Sequence, residues 1–196
     1  MFKKKVVSLL AIGMLSAAFV SPSFAATRHM ATHQGAVTSH TAATRSASFN
    51  LPPGVTYDQS VQPQAPLDAT RQDKTNAVLM VARSQLGTPY IWGASKDRGG
   101  SGFDCSNFTA YVYHHALGYK MSGASRVQAS SVGNPVPKSQ MQVGDLVIFN
   151  NGSHVGIYAG NGQMIQEGGG LGKVGYLPLK PGSYWYNHIT SVKRMY

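Results

Sequence analysis

Only one cysteine, Cys105, stands in the 196-residue chain, so no disulfide can form within it. Acidic residues are nearly as scarce: seven Asp and Glu face 17 Lys and Arg, for a formal net charge of +10. That balance fits a chain working on an anionic polymer or a membrane surface, or simply one with a soluble basic face. No nucleic-acid-binding motif accompanies the charge, so no nucleic-acid partner is expected. Long apolar runs are missing too. The longest, residues 6–20, falls short of the roughly twenty residues that span a bilayer, which argues against a stable membrane anchor. No set of His, Cys or Asp residues has zinc-ligand spacing, and neither a metal nor a cofactor is expected.

The amino-terminal features are those of an export signal. Lys3, Lys4 and Lys5 precede the short apolar run, and Ser23-Phe24-Ala25 places small residues where a signal peptidase reads them. Residues 1–25 are a signal peptide by this reading, with cleavage after Ala25. The chain is then periplasmic or secreted, and the lack of a cysteine behind the cleavage point argues against a lipid anchor. In an oxidising compartment an unpaired cysteine is an intermolecular bridge, an inert buried residue or a reactive thiol. Residues 26–72 are rich in Ala, Thr, Ser, Gln and Pro without helical or alternating period, and read as a disordered tether. Residues 73–196 form one small domain, expected to be monomeric.

Within that domain, apolar spacing predicts a helix over 73–86, capped by Asp73 or Thr75 and stopped by Gly87. A glycine-rich loop over 93–102 follows. Asp104 then caps a second helix whose Phe108, Val112 and His115 or Ala116 share a face and which ends before Gly118. Ser125 opens a short third helix. After Pro137 the pattern turns extended: strands are expected at 145–149, 154–158 and 163–166, joined at Asn150-Asn151-Gly152 and Asn161-Gly162, with two more at 174–179 and 189–195. The fold class is α+β, with amino-terminal helices packed on an antiparallel sheet of about five strands.

Cys105 thus falls in the first turn of a helix, where free N–H groups and the helix dipole favour a thiolate. A nucleophilic cysteine needs a base held by a third group. His29, His33 and His40 lie in the tether, His114 and His115 lie more than two turns along the same helix, and His188 lies among Tyr184, Trp185 and Tyr186. Those three aromatics either form a stacking rim or close the core. His154 alone opens a strand after a tight turn, with Gly156 leaving room beside it. A helix-borne cysteine facing a strand-borne histidine is the papain arrangement.

Four ordered blocks carry a family resemblance: Leu86-Gly87-Thr88-Pro89-Tyr90-Ile91-Trp92-Gly93, Gly102-Phe103-Asp104-Cys105-Ser106-Asn107-Phe108, Val143-Gly144-Asp145-Leu146-Val147-Ile148-Phe149, and His154-Val155-Gly156-Ile157-Tyr158 with Asn161-Gly162-Gln163-Met164-Ile165. The domain resembles the NlpC/P60 cell-wall peptidases. The resemblance implies a papain-like fold and hydrolysis of peptidoglycan stem peptides at the γ-D-glutamyl–diamino acid bond. It implies Cys105 as nucleophile and His154 as base, with Tyr90, Asp104 and Ser106 lining the substrate site; Asp104 is also a helix cap and Ser106 an ordinary first-turn residue on their own terms.

The third catalytic group departs from the commoner family pattern. Twelve residues after His154, where the family most often has His followed by Ala, stand Gln166 and Glu167. A glutamine oxygen can accept the imidazole N–H and fix its tautomer without adding charge. A strict two-residue turn at Asn161-Gly162 would instead pair Gly156 with Glu167, placing Glu167 on the face of His154; a bulge would return Gln166 to it. Three functions follow: a stem-peptide endopeptidase acting through a Cys105 thioester, an amidase or acyltransferase of the same fold, or a non-catalytic wall-binding protein.

Overall fold

Helix starts and stops here are set by side chains that complete the backbone's free hydrogen bonds. The computed structural model describes residues 50–196, so the expected signal peptide and the first part of the expected tether lie outside the described residues. Helix α1 (Arg71–Ser84) begins two residues before its expected start, because Thr70, not Asp73 or Thr75, is the cap: its hydroxyl accepts the Asp73 N–H at 3.1 Å. Helix α2 (Cys105–Leu117) starts where expected. The Asp104 carboxylate accepts the Asn107 N–H at 2.8 Å, and Gly118 ends the helix at φ 72°, a left-handed conformation that suits glycine. Helix α3 spans Ser125–Ser131. Its Gln128 is fully buried, taking the Thr109 hydroxyl at 2.9 Å and donating to the carbonyls of Ser106 and Ser122.

The extended half forms an antiparallel sheet of six strands, β3 (Asn134–Val136), β4 (Leu146–Phe149), β5 (His154–Gly160), β6 (Gln163–Glu167), β7 (Val174–Pro178) and β8 (Ile189–Arg194), in the order β3-β8-β4-β5-β6-β7. The strand beyond the expected five is β3, whose Pro135 removes a ladder donor and is tolerated because β3 lies at the sheet edge. One face of the sheet presents Leu146, Ile148, Val155, Ile157 and Ile165 to Phe108, Val112 and Ala116 of α2, with α1 packed behind through Val78 and Ala82. Each such side chain contributes about 1.5–3 kcal/mol on burial. The other face carries Val147, Phe149, Met164 and Val192 beneath Trp185 and Tyr186 of the one-turn helix α4 (Tyr184–Asn187).

The tether boundary at residue 72 needs correction. Residues 50–72 belong to the fold: β1 (Val55–Tyr57) pairs antiparallel with β2 (Tyr119–Met121), and the Ala65 N–H donates to Ala116 at the end of α2. Val55 and Ala65 are buried, with Leu51 and Leu67 packed on the core. Their irregular spacing gives no period, since they plug gaps singly. No helix among the described residues is long and apolar enough to cross a membrane.

Candidate active site

Cys105 is half-buried in the first turn of α2, and its sulfur faces the backbone N–H groups of Val155, the second residue of β5, and of Ser106. His154 opens β5 after a tight turn in which Asn150 and Asn151 take left-handed conformations (φ 46° and 54°). The helix start and the strand start therefore bring Cys105 and His154 to the lining of one cleft of about 990 Å³.

Behind the imidazole, His154 Nε2 lies 2.9 Å from Gln166 Oε1. Gln166 is fully buried, and its amide nitrogen donates to the Gly168 carbonyl at 3.3 Å, which leaves the amide oxygen to accept. The imidazole proton is thus held on Nε2, and Nδ1 keeps its lone pair. A bulge places Gln166 there. Gly160 pairs with Gln163, but Tyr158 then pairs with Met164 and Gly156 with Gln166, so Ala159 is the extra residue. Glu167 consequently points to the α2 side of the sheet, away from His154.

Trp185 completes the surround: its ring packs on the imidazole at 4.7 Å between centroids and meets Phe149 edge-on. Nothing in the sequence marks it as a partner of His154, because α4 reaches the site only through the fold. Burial pushes the His154 imidazole down to about 4, against the Gln166 hydrogen bond that favours its charged form. The same burial raises the Cys105 thiol, opposed by the Val155 N–H and reinforced by the Asp104 carboxylate. Both shifts favour the uncharged pair.

Tyr90, Asp104 and Ser106 all line the cleft. The Tyr90 ring lies over Gly168, where a Cβ would come within 2.9 Å of it. Asp104 caps α2 with one oxygen and takes the Gly93 N–H at 3.1 Å with the other, tying the glycine-rich loop to the helix start. The Ser106 hydroxyl donates to the Gly123 carbonyl at 2.7 Å, with Asp104 at 3.1 Å. Two cations absent from the sequence-based site, Arg98 and Arg126, also line the cleft.

Glu167 is buried without a well-formed hydrogen bond to either carboxylate oxygen. Its carboxyl is pushed up to about 7 by burial, with the nearby Gly168 N–H opposing and the Asp104 charge adding to the rise. Away from the cleft, Asp97, His114 and His115 bring three metal-competent atoms within 4.8 Å of one another. Asp97 lies 17 residues from His114, a separation that no ligand-spacing motif registers.

The NlpC/P60 family model matches residues 87–194, more than half of the chain. The chain belongs to the NlpC/P60 family. The NlpC/P60 domain is 50% identical over 93 residues to the probable endopeptidase p60 of Listeria grayi, a match covering 46% of this chain and 17% of that protein. Among solved structures, it resembles the peptidoglycan hydrolase RipB of Mycobacterium tuberculosis at 31% identity and TM-score 0.53, over 65% of this chain and 68% of that one. It also resembles RipD of the same organism, described as a non-catalytic NlpC/P60 domain protein adapted to peptidoglycan binding, at 27% identity and TM-score 0.52, over 63% of this chain and 98% of that one. The chain spans less than half the length of the first curated relatives it matches. The α+β class and papain-like architecture of the NlpC/P60 family hold for this domain.

Proposed function

We propose that this domain is a cysteine endopeptidase that hydrolyses peptidoglycan stem peptides at the γ-D-glutamyl–diamino acid bond, acting as a monomer outside the cytoplasmic membrane after cleavage behind Ala25. The observation that carries the reading is the His154–Gln166 hydrogen bond, which leaves Nδ1 as the free base in the cleft that also holds the Cys105 thiol. His154 Nδ1 takes the thiol proton as sulfur attacks the carbonyl carbon; the Cys105 N–H at the open end of α2 supports the oxyanion. His154 then protonates the leaving amine as the C–N bond breaks, giving a thioester. Water, deprotonated by the same nitrogen, adds to the thioester and expels the thiolate, which regains its proton. Arg98 and Arg126 give the cleft a positive wall suited to the carboxylates of a stem peptide.

The likeness to RipD favours a second reading, in which the cleft only binds the wall. The joint presence of Cys105, His154 and Gln166 supports catalysis instead. Mass spectrometry of fragments released from purified sacculi decides between them and names the bond. The endopeptidase frees the amine of a diamino acid. An amidase would split sugar from peptide, and a binding protein would sediment with sacculi and release nothing.

A further inference from the structure

At the end of α2 remote from Cys105, three side chains from two elements converge. His114 Nδ1 lies 3.1 Å from Asp97 Oδ2, and His115 Nε2 lies 2.7 Å from Asp97 Oδ1. Behind them, His114 Nε2 is 3.1 Å from the Asp58 carboxylate, which is itself held by the Ser60 N–H and hydroxyl. A histidine whose outer nitrogen donates to a carboxylate presents its other nitrogen as a fixed, more basic lone pair, as metal-ligating histidines do. The carbonyl end of α2 adds partial negative charge where a cation would sit.

We propose that Asp97, His114 and His115 bind a divalent transition metal of the Zn²⁺ type, with Asp58 orienting His114 from behind. The donors are two imidazole nitrogens and a carboxylate, a set suited to Zn²⁺. Tetrahedral ligands at about 2.0–2.1 Å from Zn²⁺ stand about 3.3 Å apart; the two imidazole nitrogens now contact different Asp97 oxygens and the three ligand atoms lie within 4.8 Å of one another, so small side-chain rotations bring them to that spacing. The side chains of Asp97, His114 and His115 are 33%, 15% and 37% exposed, which leaves the fourth position to water. The ion would pin the loop whose next residue, Arg98, reaches back to Asn107 at 3.1 Å and to the Gly93 carbonyl at 2.9 Å along the cleft. A clamp on the cleft wall is therefore built at the far end of the helix that carries the nucleophile.

The test titrates Zn²⁺, by calorimetry, into the metal-stripped full chain carrying Cys105→Ala, so that the thiol cannot compete. One tight equivalent is expected. His115→Asn should abolish it or weaken it by at least about 100-fold, and Asp58→Asn should weaken it by about 10–100-fold. Replacing His29, His33 and His40 with Asn should leave it in place. Co²⁺ bound at the same stoichiometry should show visible bands of nitrogen and oxygen ligation. Absence of a tight equivalent, its survival in His115→Asn, or its loss with the three upstream histidines would overturn the proposal. If His115→Asn does not fold, Asp97→Asn takes its place with the same expected loss. Apart from Cys105, replaced only to remove a competing thiol, none of these residues belongs to the proposed peptidase machinery, so a failure here leaves that reading untouched.

Discussion

Two residues decide how His154 behaves, and neither is charged. Gln166 fixes the tautomer, so Gln166→Ala should cut kcat/KM by about 100-fold or more while leaving the melting temperature close to wild type. Steady-state kinetics beside calorimetry separates these effects. Trp185 packs against the imidazole. With His154 at about 4, the free base should persist through pH 5, and the acid limb of kcat/KM is expected below that. Trp185→Ala admits water and should move the acid limb upward, toward the ordinary imidazole value near 6.5. A limb that stays put in a pH–rate profile would mean the indole does not set the desolvation. The cysteine and the histidine of this pair are legible in the sequence through their positions at a helix start and a strand start. The tryptophan is not, because its contact with His154 is made by tertiary packing between segments that share no period.

At the scale of elements, the β5–β6 ladder holds the most consequential irregularity. Without the bulge at Ala159, Glu167 would face His154; with it, Glu167 is buried against the α2 side. A carboxyl raised to about 7 in the fold, against a value near 4.5 when unfolded, holds its proton in the native state. Its contribution is fully present below about 4.5 and is lost as pH rises through about 7. Glu167→Gln should therefore raise stability at pH 8 by roughly 1–2 kcal/mol and change little at pH 4.5, read by denaturant unfolding at the two values. The same ladder shows what sequence can supply. Turn residues and alternation locate β4, β5 and β6 to within a few residues, but register needs the count of residues in the turn, and a one-residue bulge is silent in composition. Pro135 hides edge strand β3, and the α1 cap is missed because Thr70 lies before the first periodic apolar residue while Asp73 and Thr75, the two expected caps, are equally competent acceptors.

Across the whole molecule, the carboxyl end is locked to the first helix and to the sheet through one buried acid. Asp145 is 1% exposed; it takes Arg194 through Nε at 3.1 Å and Nη2 at 3.0 Å, and Arg71 of α1 lies at 3.8 Å. Asp145→Ala strands a partly buried guanidinium and should cost about 3–5 kcal/mol, a fall of roughly 10 °C or more in the calorimetric melting temperature. Residues 50–72 serve the same closure from the other side, by pairing β1 with β2. Composition disguised that segment as a linker, because its buried apolar residues arrive one at a time among Pro and Gln. Joint action of the helix-borne thiol and the strand-borne imidazole is tested by release of soluble fragments from purified sacculi, comparing the wild-type chain with Cys105→Ala and His154→Ala, each checked for native melting. Either substitution should lower the rate by at least about 1,000-fold; fragment release at the wild-type rate by folded Cys105→Ala would show that the thiol takes no part in the reaction.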